Sequence, residues 1–304
     1  MSKEWNERLL LQALARLPVN ALSRGVGHLA SLPLPTVVLR LVIRSFARAV
    51  GVDWSEVRDP VTSFRSLQDF FTRALIEGVR PIDPADHALV SPCDGAWGAA
   101  GEVEAGRLLQ IKGRPYSLGA LLGDDDEAKP FEGGSYATLY LSPRDYHRFH
   151  VPCDCRVLRA LHLPGTLWPV NRIGVEGVDA LFAQNERICI WLEPTARPGT
   201  HLVLVAVGAT LVGKVRTVFD PSLTTNLPGT GRSERRYAPA PSFAKGEELG
   251  RFEFGSTLVL ATSPELGRLQ ARRPGAPVRL GTRIGSLRPS AASGNATADA
   301  APAG

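Results

Sequence analysis

The chain has 304 residues and is 44% hydrophobic, enough for a buried core and too apolar for a wholly disordered or fibrous protein. Its 35 Lys+Arg and 30 Asp+Glu leave a formal charge of +5, and seven Lys/Arg against two Glu in the first 50 residues account for all of it. A globular bulk without net basic charge argues against a nucleic-acid partner, whereas a basic, leucine-rich N-terminus points to an anionic membrane surface.

Residues 4–17 place Trp5, Leu9, Leu10, Ala13, Leu14 and Leu17 on one helical face, with Pro18 as the stop. A second helix is expected after Pro35, with Thr36 as its N-cap. There Arg40, Arg44 and Arg48 recur at i, i+4, i+8, and Leu39, Val42, Ile43, Phe46 and Val50 cover the other side. Residues 1–50 are therefore read as an amphipathic helical segment. Its arginine stripe either binds the membrane or is simply solvated over a packed helix pair. Gly25–Leu39 is uncharged but broken by Pro33 and Pro35, too short to cross a bilayer, and Glu4 and Glu7 stand where a secretory signal needs basic residues.

From about Ala88 the period shifts from 3.6 to 2. Strands are expected over Gly106–Lys112, Tyr136–Leu141, Arg156–Leu163, Arg187–Glu193, His201–Leu211, Gly213–Phe219, Gly250–Ala261 and Val278–Gly285. Helical windows are few, the best being Ser63–Leu75 and Val175–Gln184. This predicts an α+β, mainly β fold: an antiparallel β-barrel or sandwich domain over 51–287, preceded by amphipathic helices and followed by a disordered tail over 288–304. Cys93, Cys153, Cys155 and Cys189 form no CxxC pair, so they are read as reduced thiols of a cytosolic protein and no metal site is expected.

Three segments stand out chemically. Ser91-Pro-Cys-Asp94-Gly95 puts an Asp at a turn after an apolar strand. Leu141-Ser-Pro-Arg-Asp-Tyr-His147-Arg-Phe-His150 concentrates two of the six histidines. In Gly250-Arg-Phe-Glu-Phe254-Gly255-Ser256-Thr257 a Gly-Ser pair interrupts a strand pattern, which a plain β-bulge would also explain. Together they supply the Asp, His and Ser of an activated nucleophile, without the G-x-S-x-G elbow of an α/β-hydrolase.

The segments SPCDG, LSPRDYHRFHVP, LPGTLWPVN, LFAQNERICIWLEP, VAVGATLVGKV and KGEELGRFEFGSTLVL, in this order, resemble the bacterial phosphatidylserine decarboxylase proenzymes up to about Leu287. The resemblance implies self-cleavage between Gly255 and Ser256 into a β chain, 1–255, and an α chain, 256–304, that stay associated. Ser256 would attack the Gly255 carbonyl, His150 would act as general base, and Asp94 would orient it. The resulting ester would eliminate, and hydrolysis of the dehydroalanine would leave a pyruvoyl group and release ammonia. That pyruvoyl group, in place of pyridoxal phosphate or a metal, would form a Schiff base with phosphatidylserine, and His147 would protonate Cα after CO2 leaves. The product would be phosphatidylethanolamine, at the cytoplasmic face of the cell membrane. The family also suggests a homodimer. Phe254 departs from the family's usual Leu, Cys93 from a common Ala, and Asp145 is a rival to Asp94 as the orienting carboxylate. A pyruvoyl decarboxylase of a soluble amino acid and a non-enzymatic β-barrel carrier are the alternatives.

Overall fold

The computed structural model describes residues 16–109, 115–210 and 214–289. The helix expected over residues 4–17, save its last two residues, and the tail 288–304, save its first two, lie outside the described residues. So do parts of the strands expected over 106–112, 201–211 and 213–219.

Within the segment 1–50 read as helical, no separate helix is delimited over residues 19–31. The structure has one there, α1 (Val19–Ser31). Helix α2 (Thr36–Val50) begins where expected, but Thr36 is its first helical residue, Pro35 holds the cap position, and no side chain caps it. Gly51 ends it at φ 84°, the left-handed geometry glycine tolerates. Leu39, Ile43 and Ala47 of α2 pack with Val52, Val57, Phe64 and Phe70 in a small core of their own. Of the window 63–75 only α3 (Leu67–Phe71) is an α-helix, capped by Ser66 Oγ, which accepts the Asp69 N–H.

The largest sheet begins with β11 (Ser233–Arg236), β7 (Cys155–Leu163), β8 (Arg187–Pro194) and β9 (Leu202–Val207). It continues through β14 (Ser256–Thr262), β5 (Ser135–Leu141), β2 (Gly95–Glu102) and β16 (Pro277–Val278), while β12 (Ser242–Phe243) joins β7. One three-stranded sheet is β1 (Ala88–Val90), β17 (Arg283–Leu287) and β15 (Gly267–Leu269). The other is β10 (Val215–Thr217), β13 (Glu248–Phe252) and β6 (Arg148–His150), and β3 (Arg107–Leu109) pairs with β4 (Pro115–Ser117). All these ladders are antiparallel. The fold is thus α+β and mainly β, as expected.

Both faces of the large sheet are covered. Leu258 and Leu260 of β14, with Leu202 and Leu204 of β9, face a core completed by Leu89, Phe149, Val215, Phe252 and Ile284 from the two smaller sheets. Val259, Ala261, Val203 and Val205 face a second core, roofed by Leu118, Leu121 and Leu122 of α4 (Leu118–Leu122), Val175 of α5 (Arg172–Gly177) and Leu181 of α6 (Leu181–Gln184). A strand buried on both faces loses its polar alternation and reads as an apolar run.

Two expected strands are each broken in two. Gly250–Ala261 divides into β13 and β14, which belong to different sheets, and Val278–Gly285 divides into β16 and β17. The first break positions the site. It also makes β13 sensitive to bulk: a Cβ on Gly250 would lie 2.4 Å from both the Arg216 carbonyl oxygen and Phe149 Cζ. Gly250→Ala is expected to lower stability by about 1–3 kcal/mol, measured by denaturant unfolding.

Candidate active site

Ser256 is the first residue of β14, facing Leu141 of β5, and Tyr140 of β5 lies between Thr257 and Ala96 of β2. The SPCDG turn and Ser256 therefore share one end of the sheet, about two strand spacings or ~10 Å apart. His150 is tied to the same end, since its N–H donates to Pro92 O at 2.8 Å and Val90 N–H donates to Pro152 O at 2.9 Å.

The chain reaches Ser256 through a three-residue turn. Phe254 has φ 89° and Gly255 φ 31°, both left-handed, and for Phe this is a strained conformation. Stacking holds Phe254 there: its ring lies 4.3 Å from that of Phe71 at 23°, and Phe71 in turn meets the His147 ring at 4.1 Å. Ser256 is fully buried and its Oγ has no hydrogen-bond partner among the described residues. A hydroxyl buried unpaired costs free energy, of order 1–3 kcal/mol, and is a candidate for a chemical role.

His147 is equally buried. Its Nδ1 donates to Asp145 O at 2.8 Å, so Nε2 carries the lone pair, and that atom too is buried without a partner among the described residues. Burial pushes its pKa down to about 3, with a smaller contribution from the Arg73 cation. His150 has the same tautomer, donating from Nδ1 to Gly246 O at 2.9 Å, but its Nε2 is covered by the Tyr146 hydroxyl at 3.2 Å. Burial lowers its pKa as well, and the field of Asp94 is among the contributions that oppose this.

Asp94 is not hydrogen-bonded to His150, nor His150 to Ser256, among the described residues. The Asp94 carboxylate is taken by Arg80, whose Nε donates to both oxygens at 2.9 and 3.0 Å and whose Nη2 donates at 2.6 Å. The Leu280 N–H adds 2.9 Å to Oδ1. Arg80 also grips Glu56 at 3.0 and 2.6 Å, and Arg279 reaches Glu56 at 3.2 Å. Asp145, the rival carboxylate, instead builds its own turn, accepting from the Ser142 N–H and Oγ at 2.7 Å each. Sequence reasoning missed Phe71, Arg73, Arg80 and Tyr146. Nothing in their spacing marks them; the one available signal is that Arg73 and Arg80 flank an otherwise apolar and turn-forming FFTRALIEGVRP run.

Arg73 is buried and donates to Arg144 O at 2.7 Å and Asp145 O at 3.2 Å, pinning the loop that carries His147. The four cysteines are buried and free, and burial raises the Cys93 thiol pKa well above its usual value. No group of three or more metal-ligating side chains converges among the described residues. On α2, Arg44 and Arg48 are exposed and Arg40 is half-buried; beside them Val37 and Leu41 are 78% and 68% exposed. No described helix is long and apolar enough to cross a membrane.

A mainly β enzyme with a buried serine at a strained junction between two sheets, beside an HxxH segment, is the class these features define. Residues 67–286 match the phosphatidylserine decarboxylase family. The chain is 47% identical over 282 residues to the phosphatidylserine decarboxylase proenzyme of Anaeromyxobacter sp. (strain K), covering 92% of this chain and 99% of that one. It is 40% identical over 284 residues to that of Myxococcus xanthus (strain DK1622), covering 93% and 99%, and 40% identical over 255 residues to that of Brevibacillus brevis, covering 84% and 89%. The chain belongs to the phosphatidylserine decarboxylase family and is a decarboxylase.

Removing the Arg80 guanidinium would leave the Asp94 carboxylate buried and short of donors. Arg80→Ala is expected to cost about 3 kcal/mol in denaturant unfolding, against about 1 kcal/mol for Glu56→Gln.

Proposed function

We propose that the protein cleaves itself between Gly255 and Ser256 and then converts phosphatidylserine to phosphatidylethanolamine and CO2 with a pyruvoyl group derived from Ser256. The observation that carries this reading is the unpaired, fully buried Ser256 Oγ directly after the left-handed pair Phe254–Gly255. A ketone at this position needs no more room than the serine side chain it replaces, so the site fits the group. When formed, it supplies the electron sink that a decarboxylated α-carbon requires.

In the first reaction Ser256 Oγ attacks the Gly255 carbonyl carbon, and the strain stored at residues 254–255 is released as the peptide becomes an ester. His150 takes the hydroxyl proton on Nε2, after Tyr146 gives up that atom, and Asp94 stabilises the imidazolium through its field. In the second, His147 makes the return of a proton from Nε2 to Cα after CO2 leaves. A depressed pKa makes the protonated ring a strong acid, suited to that return. Phe71 and Phe254 keep the vicinity of His147 poor in water, which favours loss of a carboxylate charge as neutral CO2. The exposed Val37 and Leu41, beside Arg44 and Arg48 on α2, support a contact with an anionic membrane on the cytoplasmic side, the two chains remaining associated.

Mass spectrometry of purified protein should show two chains split at Gly255–Ser256, with a borohydride-reducible group on the shorter one. A single intact species would overturn self-cleavage and the pyruvoyl group that depends on it. Ser256→Ala should stay whole. His150→Ala should cut about 10²–10⁴ times more slowly, and His147→Ala should cut yet release no CO2 from phosphatidylserine. The reverse pattern assigns the base to His147, whose lone pair is already open. CO2 from free serine or aspartate but not from lipid would indicate a soluble amino-acid decarboxylase.

Reversing Arg40, Arg44 and Arg48 to Glu is expected to abolish binding to phosphatidylserine-containing vesicles in a sedimentation assay. Undiminished binding would remove the stripe from the membrane contact.

A further inference from the structure

A cavity of about 280 Å³ lies between α1, α3 and the segment 214–228, just below the usual range for small-molecule sites. Arg24 and His28 of α1, Gln68 of α3, and Lys214, Arg216 and Glu253 are among the residues that line it. Its charge is unbalanced. Glu253 is taken by Arg216 Nε at 2.6 Å, Arg24 makes one long contact of 3.5 Å to Asn226 Oδ1, and Lys214 forms no ion pair among the described residues. Two cations are thus left facing a partly enclosed space, where an anion is bound more strongly than at an open surface.

The cavity adjoins the chemistry. Glu253 N–H donates to Lys214 O at 2.7 Å, and the Gly255–Ser256 bond begins two residues further on. Two residues of extended chain cover at most about 7 Å, the order of the span from a phosphodiester to the amine of the serine it carries. Gln68 lies on α3 one turn before Phe71, whose ring touches both His147 and Phe254. On the outer side, α1 leads from His28 to Leu29, which is 67% exposed, and on to the exposed Leu32 and Leu34. The cavity residues are thus linked through the chain to the reactive turn by Glu253 and to exposed leucines by His28, a connectivity that matches the order of amine, phosphate and acyl chains in an aminophospholipid.

We propose that Arg24 and Lys214 bind the phosphodiester of the substrate, an assignment that rests on the decarboxylation reading above. The serine carboxylate is the weaker occupant, because a cation paired with it would hold the charge that must leave, whereas the phosphodiester keeps its charge throughout. Guanidinium and ammonium donors both suit a phosphate oxygen.

The test uses the fully self-cleaved enzyme and a short-chain phosphatidylserine kept monomeric, so that membrane binding does not contribute. Lys214→Ala and Arg24→Ala should each raise KM by about tenfold, the loss of one charge-assisted hydrogen bond, with kcat retained. Lys214→Arg should restore KM, and Lys129→Ala, an exposed cation elsewhere, should leave it unchanged. Wild-type enzyme should be inhibited by glycerophosphoserine at least ten times more strongly than by serine, a comparison that requires no variant to fold. Unchanged KM in both alanine variants of an active enzyme, a defect seen with vesicles and not with monomeric lipid, or equal inhibition by serine and glycerophosphoserine each overturns the assignment. Absence of CO2 release by the wild type refutes the decarboxylation reading itself.

Discussion

Strand β14 is hydrogen-bonded along both edges, to β9 and to β5, and the chain reaches its first residue from β13, a strand of another sheet. That change of sheet within three residues is the constraint on which the site depends. It demands left-handed backbone at Phe254 and Gly255, and the Phe71–Phe254 stack holds what Phe254 alone would not adopt. It also delivers Ser256 into the interior with its hydroxyl unpaired. Strain and desolvation thus fall on the same two peptide units, the ones a reaction at Gly255 would relieve.

The same architecture explains how the molecule tolerates a break there. Residues after Ser256 are held by β14 between its two neighbours, by β17 against β1, and by Leu280 and Arg279 on the Asp94–Arg80–Glu56 network. Arg80 joins the 3₁₀ turn Trp54–Glu56 after α2 to the SPCDG turn, and the segment downstream of the serine attaches to the same two carboxylates through Leu280 and Arg279. A chain cut at residue 255 would keep every one of these contacts.

The two histidines show how tertiary surroundings separate chemically identical groups. Both are buried, neutral and fixed in one tautomer by a backbone carbonyl. One has an open Nε2 beside aromatic rings; the other has its Nε2 covered by Tyr146. At the second a proton can be taken only after the Tyr146 contact is broken, while the first has no such contact to break.

Local pattern was enough to place β5, β7 and β8 within a residue at each end, and α2 from its apolar face, because period and turn residues are encoded nearby. The motif residues Asp94, His147, His150 and Ser256 were legible as a group, since polar side chains in apolar strands stand out. The change of sheet at residues 253–255 was not, because the Gly-Ser interruption that marks it is equally what a β-bulge within one strand would show. Arg80 could not have been assigned to Asp94, because the pairing depends on turns that bring residues 56, 80, 94 and 280 together. The sequence by itself determined the strands, the reactive residue types and the basic N-terminus, all properties of neighbouring residues. Which carboxylate is held by which cation, which imidazole is open, and where the chain changes sheet were decided only by the tertiary structure, since each depends on desolvation and contacts between distant segments.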